Sequence, residues 1–253
     1  MDNYRRLALV GALALCVFIL ARFPAATAFA WFAPDGVGAF GVSGTIWRGE
    51  AKVISAGGVQ LRNTRWDIAL SQLLLGRFGG DVDTRWGGGF LNASGSVSVL
   101  GTVRLRDVKG SFDLGQANAL LGSPGIGGTA KLDFQELRLE NNWPVHAIGT
   151  GQLTNLTSAM LGRGAAQLIG DVGFEFDSNT ETAPDTVTGK LQDTGGPLQL
   201  DGTLELTPPA NYEIVTRIAA RDTAAESLRR NLSFLGQPEP DGTRIFQLAG
   251  SFE

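Results

Sequence analysis

From Phe40 onward the chain is written in short stretches that alternate apolar and polar residues, and this alternation limits the fold more than any other feature. Trp66 to Leu70, Ser96 to Leu100, Thr102 to Leu105, Lys131 to Phe134, Gly173 to Phe176, Leu198 to Leu206 and Arg244 to Leu248 all repeat with period two. Successive side chains of an extended strand point to opposite faces, so each stretch offers one face to a core and one to water. That is the signature of an antiparallel sheet. The tripeptide Gly-(Ser/Thr)-apolar recurs at Gly44, Gly95, Gly101, Gly110, Gly202 and Gly250, at spacings too irregular for a solenoid, and marks strand entries. Thr223 to Leu235 is the clearest helix: Thr223 and Glu226 have capping-box spacing, Leu228, Leu232 and Leu235 share a face, and Gly236 closes it. Ser71 to Leu75 and Gln116 to Leu121 offer a turn or two more, while Ser178 to Asp185 and Pro208 to Asn211 read as loops.

The first residues follow a different rule. Leu7 to Ala21 carries no charge and follows Arg5-Arg6, the pattern of a membrane helix whose basic flank stays in the cytoplasm. Ala26-Thr27-Ala28 resembles a signal-peptide cleavage site, whereas Arg22, which can snorkel, and the apolar residues of Ala25 to Phe32 favour an uncleaved anchor. Cys16 lies inside the run and is read as a small apolar side chain. The expected organisation is a cytoplasmic N-terminus (1–6), a transmembrane signal anchor (7–21), a periplasmic stalk (22–39) and a β-rich domain (40–253). The fold class is all-β, mainly antiparallel strands with glycine-rich turns and one or two short helices, preceded by a single N-terminal transmembrane helix.

Composition narrows the chemistry. One cysteine rules out a disulfide framework, and one histidine, His146, cannot build the common zinc sites. His146 is read as a surface strand residue, and no Gly-x-Ser-x-Gly elbow accompanies it. Residues 1–22 hold three of the 21 basic groups and one of the 25 acids, which leaves 18 basic against 24 acidic beyond them. An acidic body without a basic run gives no reason to expect nucleic acid. Gly36 to Gly41 spells a dinucleotide fingerprint, but no strand precedes it and no helix is expected after it, so it is read as stalk. Asp171, Glu175 and Asp177, and likewise Asp81 and Asp83, fall at strand spacing on one solvated face, with Phe174 and Phe176 on the other face. No catalytic residue, cofactor or metal is assigned.

The stretch Val42-Ser43-Gly44-Thr45-Ile46-Trp47-Arg48-Gly49-Glu50-Ala51 resembles the "GT-x-W-x-G-x-A" signature of type II secretion system protein N. The resemblance continues in order through Trp66 to Gly76, Trp143-Pro144, Gly189 to Asp193, Gly195 to Leu198, Leu200-Asp201-Gly202-Thr203-Leu204, Leu232 to Gly236, Asp241-Gly242 and Leu248 to Gly250. It departs at Asn211, where the family tends to place Asp-Gly before the tyrosine matched by Tyr212. The resemblance implies a single-pass inner-membrane accessory of a Gram-negative bacterium, with its C-terminal domain in the periplasm and no catalytic residues to carry over. The implied partners are the inner membrane and other secretion components, the assembly platform and secretin-linked proteins among them. The family-motif residues are Gly44, Thr45, Trp47, Gly49, Trp66, Asp201 and Gly202. Trp47 and Trp66 are expected as large core anchors, with Gly44 and Gly49 permitting the bends around them.

Two functions from different classes fit this reading. One is a non-catalytic docking domain for the export of folded proteins. The other is an AsmA-like periplasmic lipid-handling protein with a curved apolar sheet. A sheet apolar on both faces favours lipid and a sheet with one charged face favours docking. Arg104, Arg106, Lys131, Asp133 and Glu205 lean towards docking.

Overall fold

The alternation is realised as antiparallel ladders. The computed structural model describes residues 2–69, 77–98, 101–121, 125–159, 166–178 and 185–251. The helical turn expected at Ser71 to Leu75, the end of the Trp66 to Gly76 motif, and most of the loop from Ser178 to Asp185 lie outside them. The chain divides into two compact units, Met1–Arg85 and Trp86–Glu253.

The first unit opens with α1 (Asp2–Ala21) and α2 (Ala25–Phe32). Among the described residues no helix is long and apolar enough to cross a membrane. The helix is where the sequence places it, but Asp2, Arg5 and Arg6 occupy its first turns. The uncharged run Leu7 to Ala21 then spans only about 22 Å at 1.5 Å per residue, short of a hydrocarbon core of about 30 Å. The residues read as stalk hold α2 and, across the expected boundary at Phe40, the strand β1 (Val37–Phe40). β1 and β2 (Ser43–Gly44) both pair with β3 (Arg48–Ala56), which pairs with β4 (Val59–Ile68), which pairs with β5 (Arg77–Arg85), all antiparallel. Gly57 and Gly58, with φ of 55° and 82°, form the two-residue hairpin between β3 and β4. Ala51 is buried, and the buried hydroxyls of Thr64 and Thr84 satisfy each other at 2.8 Å across β4 and β5.

The second unit is an antiparallel meander in chain order. It runs β6 (Phe90–Ser98), β7 (Val103–Asp113), β8 (Ile126–Glu140), β9 (Trp143–Ser158), β10 (Gln167–Asp177), β11 (Val187–Gly195), β12 (Leu198–Thr207), β13 (Asn211–Ala220) and β14 (Arg244–Ser251). Helix α3 (Leu114–Leu121) follows β7, and α4 (Glu226–Leu232) precedes β14. α4 begins at Glu226 with Ala225 as its N-cap and no side-chain cap hydrogen bond, so the capping box expected from Thr223 does not form. A 3₁₀ turn, Ser233–Leu235, extends it to Gly236, whose φ of 110° closes the helix as expected.

Register gives this sheet two unlike faces. On β12, Leu198, Leu200, Leu204 and Leu206 share one face, while Gln199, Asp201, Thr203 and Glu205 are exposed on the other. The pairing aligns the leucines with Ile218 and Ile214 on β13, and with Val187 and Gly189 on β11. α4 covers one end of this apolar face, where Leu198, Ile218, Leu228 and Leu232 are buried together. Further along, Ala147, Phe176 and Val187 are buried among Phe134, Leu137, Phe174, Leu204 and Leu206, a cluster built from strand residues alone. The Phe134 and Phe176 rings pack 5.8 Å apart. β9 and β11 come within 8 Å at Cα, whereas strands two apart in a flat sheet lie about 9.6 Å apart, so the ladder curls about β10. β10 is bulged between Leu168 and Val172, and bulges raise the local twist of a strand.

Candidate functional site

Five of the motif residues converge in the first unit, around the turn between β2 and β3. Thr45 closes that turn: its N–H donates to the Arg48 carbonyl at 2.8 Å, and its Oγ1 accepts the Arg48 N–H at 3.1 Å. Gly44 enters the turn at φ +85°, and a Cβ there would lie 2.5 Å from the Arg48 carbonyl oxygen. Glycine is therefore demanded by conformation and by space. The closed turn presents Ile46 and Trp47 at its tip.

The tip clasps the end of α1. Trp47 Nε1 donates to the Leu20 carbonyl at 2.8 Å, and Ile46 N–H donates to the Phe23 carbonyl at 3.1 Å. Pro24 forms a β-bridge with Thr45. The Leu20 carbonyl, in the last turn of α1, also accepts the Phe23 N–H at 3.3 Å, so the indole adds a second bond there, while Phe23 lies in the connection between α1 and α2. Trp66 Nε1 in turn donates to the Ile46 carbonyl at 3.2 Å, joining β4 to the same tip. Gly49 sits opposite Trp66 in the ladder, and the indole lies directly over it. A Cβ on Gly49 would meet Trp66 Cζ2 at 2.5 Å, the Ser43 carbonyl oxygen at 2.7 Å and that of Thr45 at 2.9 Å. Neither indole is fully buried as a core anchor; both are half-buried. The rings act instead as clasps whose N–H groups reach carbonyls at the turn and the helix end.

Beside the clasp lies an open cleft of about 460 Å³ lined by Gly44, Gly49, Glu50, Arg65, Trp66 and Asp67, among others. Arg48 donates to Asp67 Oδ2 through Nε at 2.8 Å and through Nη2, and Arg65 pairs with Glu50 at 3.6 Å. Asp81 and Asp83 on β5 stand opposite Asp67 and Arg65. These exposed pairs add little stability. They form a charged surface along this end of the ladder.

The remaining motif residues, Asp201 and Gly202, belong to the second unit. Asp201 is exposed on β12 opposite Arg217, and Gly202 lies on the apolar face opposite Leu191 and Thr216. His146 is half-buried on β9 between buried Val145 and Ala147, opposite Arg138. Glu175 and Asp177 are exposed on β10 with Phe174 and Phe176 on the other face, whereas Asp171 sits at a bulge that breaks the alternation, and its carboxylate accepts the Asn155 N–H at 2.8 Å. Among the described residues no group of three His, Cys, Asp or Glu is placed to hold a metal. Val37 to Phe40, inside the glycine fingerprint, pair with β3. The clasp on α1 was not foreseen from the sequence; the signal was the tight Thr45–Arg48 turn carrying an indole at its tip.

Residues 35–246 match the family described as type II secretion system (T2SS), protein N. A protein of Vibrio cholerae serotype O1 named "Type II secretion system protein N" is 27% identical over 222 residues, 86% of this chain and 86% of its own length. No solved structure matches.

Proposed function

The chain belongs to the type II secretion system protein N family, and from that premise we propose that it is an inner-membrane component with its sheets in the periplasm, docking other secretion components without catalysing a reaction. Arg5-Arg6 ahead of Leu7 to Ala21 supports insertion with the N-terminus in the cytoplasm. Arg22 snorkelling to the headgroups, and α2 with Phe29, Trp31 and Phe32 at the interface, compensate for the short apolar run.

The observation that carries the docking reading is the clasp. Trp47, Ile46 and Thr45 bind the end of α1 directly to the first ladder, so an anchored helix fixes that ladder's place at the membrane rather than trailing it on a free linker. Fixing a domain near its partners raises its effective concentration there. The test is export of folded proteins in a deletion strain. Loss of export on deletion, restored by the His146→Ala variant as well as by wild type, is expected. Failure of a folded His146→Ala variant to restore it points to catalysis instead.

A second reading, lipid handling, is favoured by the apolar face of β8 to β12, where the Phe176 cluster is formed by strands alone. The charged opposite face favours docking over this reading. Recovery of stoichiometric phospholipid with the purified protein reverses that order.

A further inference from the structure

The outer edge of β14 has the character of an interface. Among the described residues no strand pairs with it, while its inner edge is in register with β13 from Arg244 to Ser251 without a bulge. Free edges in soluble sheets are usually guarded by lysine, proline, a bulge or an inward charge, because their open N–H and C=O groups recruit another strand. β14, Arg-Ile-Phe-Gln-Leu-Ala-Gly-Ser, has none of these beyond Arg244 at its start. It also exposes Ile245 (49%) opposite Arg217, and Val215 (37%) on β13 is exposed opposite Gln247, both apolar residues on the face that is otherwise polar.

We propose that β14 pairs with β14 of a second copy of this chain, antiparallel about a two-fold axis through Gln247. The strand is self-complementary, which favours a second copy as its partner. A two-fold perpendicular to the sheet keeps each face on its own side, so paired residue numbers must sum to an even value. Centred on Gln247, this register sets Phe246 against Leu248 on the apolar face and Ile245 against Ala249 on the other. Arg244 falls opposite Gly250, so no like charges meet. The apolar face, with Phe246 and Leu248 next to Thr216 and Ile214, then runs unbroken from one copy into the other. Such β-augmentation gains main-chain hydrogen bonds along the whole edge. The pairing does not depend on the secretion role, and its failure would leave that role untouched.

The test uses the full-length chain in detergent micelles. Light scattering is expected to give a dimer for wild type. In a Cys16→Ser background, Gln247→Cys is expected to form a disulfide-linked dimer under mild oxidant, while Thr203→Cys on exposed β12 does not. I245E/A249E places carboxylates opposite each other at both ends of the register and is expected to weaken dimerisation by about tenfold or more. I245E/A249K places opposite charges there and is expected to restore it. Within one copy these positions face Arg217 and Glu213, so I245E/A249K also suits the monomer. A monomeric wild type overturns the proposal. So do equal dimer strengths for the two double variants, or a Gln247→Cys cross-link that forms only with a different protein.

Discussion

Replacing Gly49 with alanine puts the account of the clasp under direct strain. The added methyl would lie 2.5 Å from Trp66 Cζ2, 2.7 Å from the Ser43 oxygen and 2.9 Å from the Thr45 oxygen. The indole can swing aside, but its N–H bond to the Ile46 carbonyl is then lost. The two carbonyl oxygens cannot move freely, because β2 is paired to β3 and Thr45 is held to Arg48. Overpacking in a close-packed site costs about 1–3 kcal/mol, and two rigid obstacles place Gly49→Ala near 2–3 kcal/mol. Stiffening of the unfolded chain returns about 0.5 kcal/mol. Urea denaturation of the full chain in detergent, followed by tryptophan fluorescence, measures the difference. Gly57→Ala is the comparison: nothing lies within 4 Å of its new Cβ, and only its φ of +55° is unfavourable, at about 1 kcal/mol. Trp66→Leu added to Gly49→Ala is expected to recover only part of the loss, since both oxygens remain. A Gly49→Ala protein no less stable than Gly57→Ala refutes the packing argument.

Trp47→Phe removes the N–H bond to Leu20 together with part of the ring and is expected to cost about 1–2 kcal/mol, whereas Trp47→Ala loses the whole half-buried ring and is expected to cost about 2–3 kcal/mol; equal melting temperatures for both variants and wild type would show that the clasp contributes nothing. Arg221 donates to the Leu198 carbonyl at 2.7 Å, to that of Gly196 at 3.1 Å and to Asp193, whose side chain is only 11% exposed. Arg221→Ala is expected to cost about 2 kcal/mol in chemical denaturation, and Arg221→Lys, without the planar fork, to recover less than half. The Asp241 carboxyl is held below its ordinary value of 3.8 by hydrogen bonds from the Thr243 hydroxyl and backbone N–H, helped by Arg217. A depressed carboxylate stabilises the folded loop above the unfolded value and loses that contribution as pH falls through the folded one, so the effect is confined to strong acid. NMR titration is expected to place the Asp241 midpoint below 3.8 and to move it upward in Thr243→Val; an unmoved midpoint removes the hydroxyl from the account.

The legible part of the fold was the part with strict periodicity. β12 and β14 occupy the stretches that alternation marked, because neither is interrupted within its ladder with β13. β9 was seen only as a strand around His146, although it runs from Trp143 to Ser158. Its pairing with β8 slips between Gly127 and Thr129, between Phe134 and Glu136 and between Arg138 and Leu139, and each slip breaks the period-two pattern that a reader of sequence relies on. α4 was visible from the leucines that meet Leu198 and Ile218, yet its start was misplaced because Thr223 resembles a cap without serving as one. The Trp47 clasp joins residues 27 apart through a side-chain N–H and a helix-end carbonyl, and no local pattern encodes it. Gly49 was recognised as a motif residue, but its reason, an indole from the neighbouring strand, emerges only from the register of β3 against β4.

The tethered-docking account turns on whether the sheets work when cut loose from the membrane. A deletion strain is complemented with the full chain, and with residues 35–253, which keep β1, behind a cleavable signal peptide, matched for periplasmic level, and export of a folded protein into the medium is measured. The account predicts export with the full chain and little or none with the released residues, because tethering supplies the local concentration that docking needs. Full export with the released residues would contradict it.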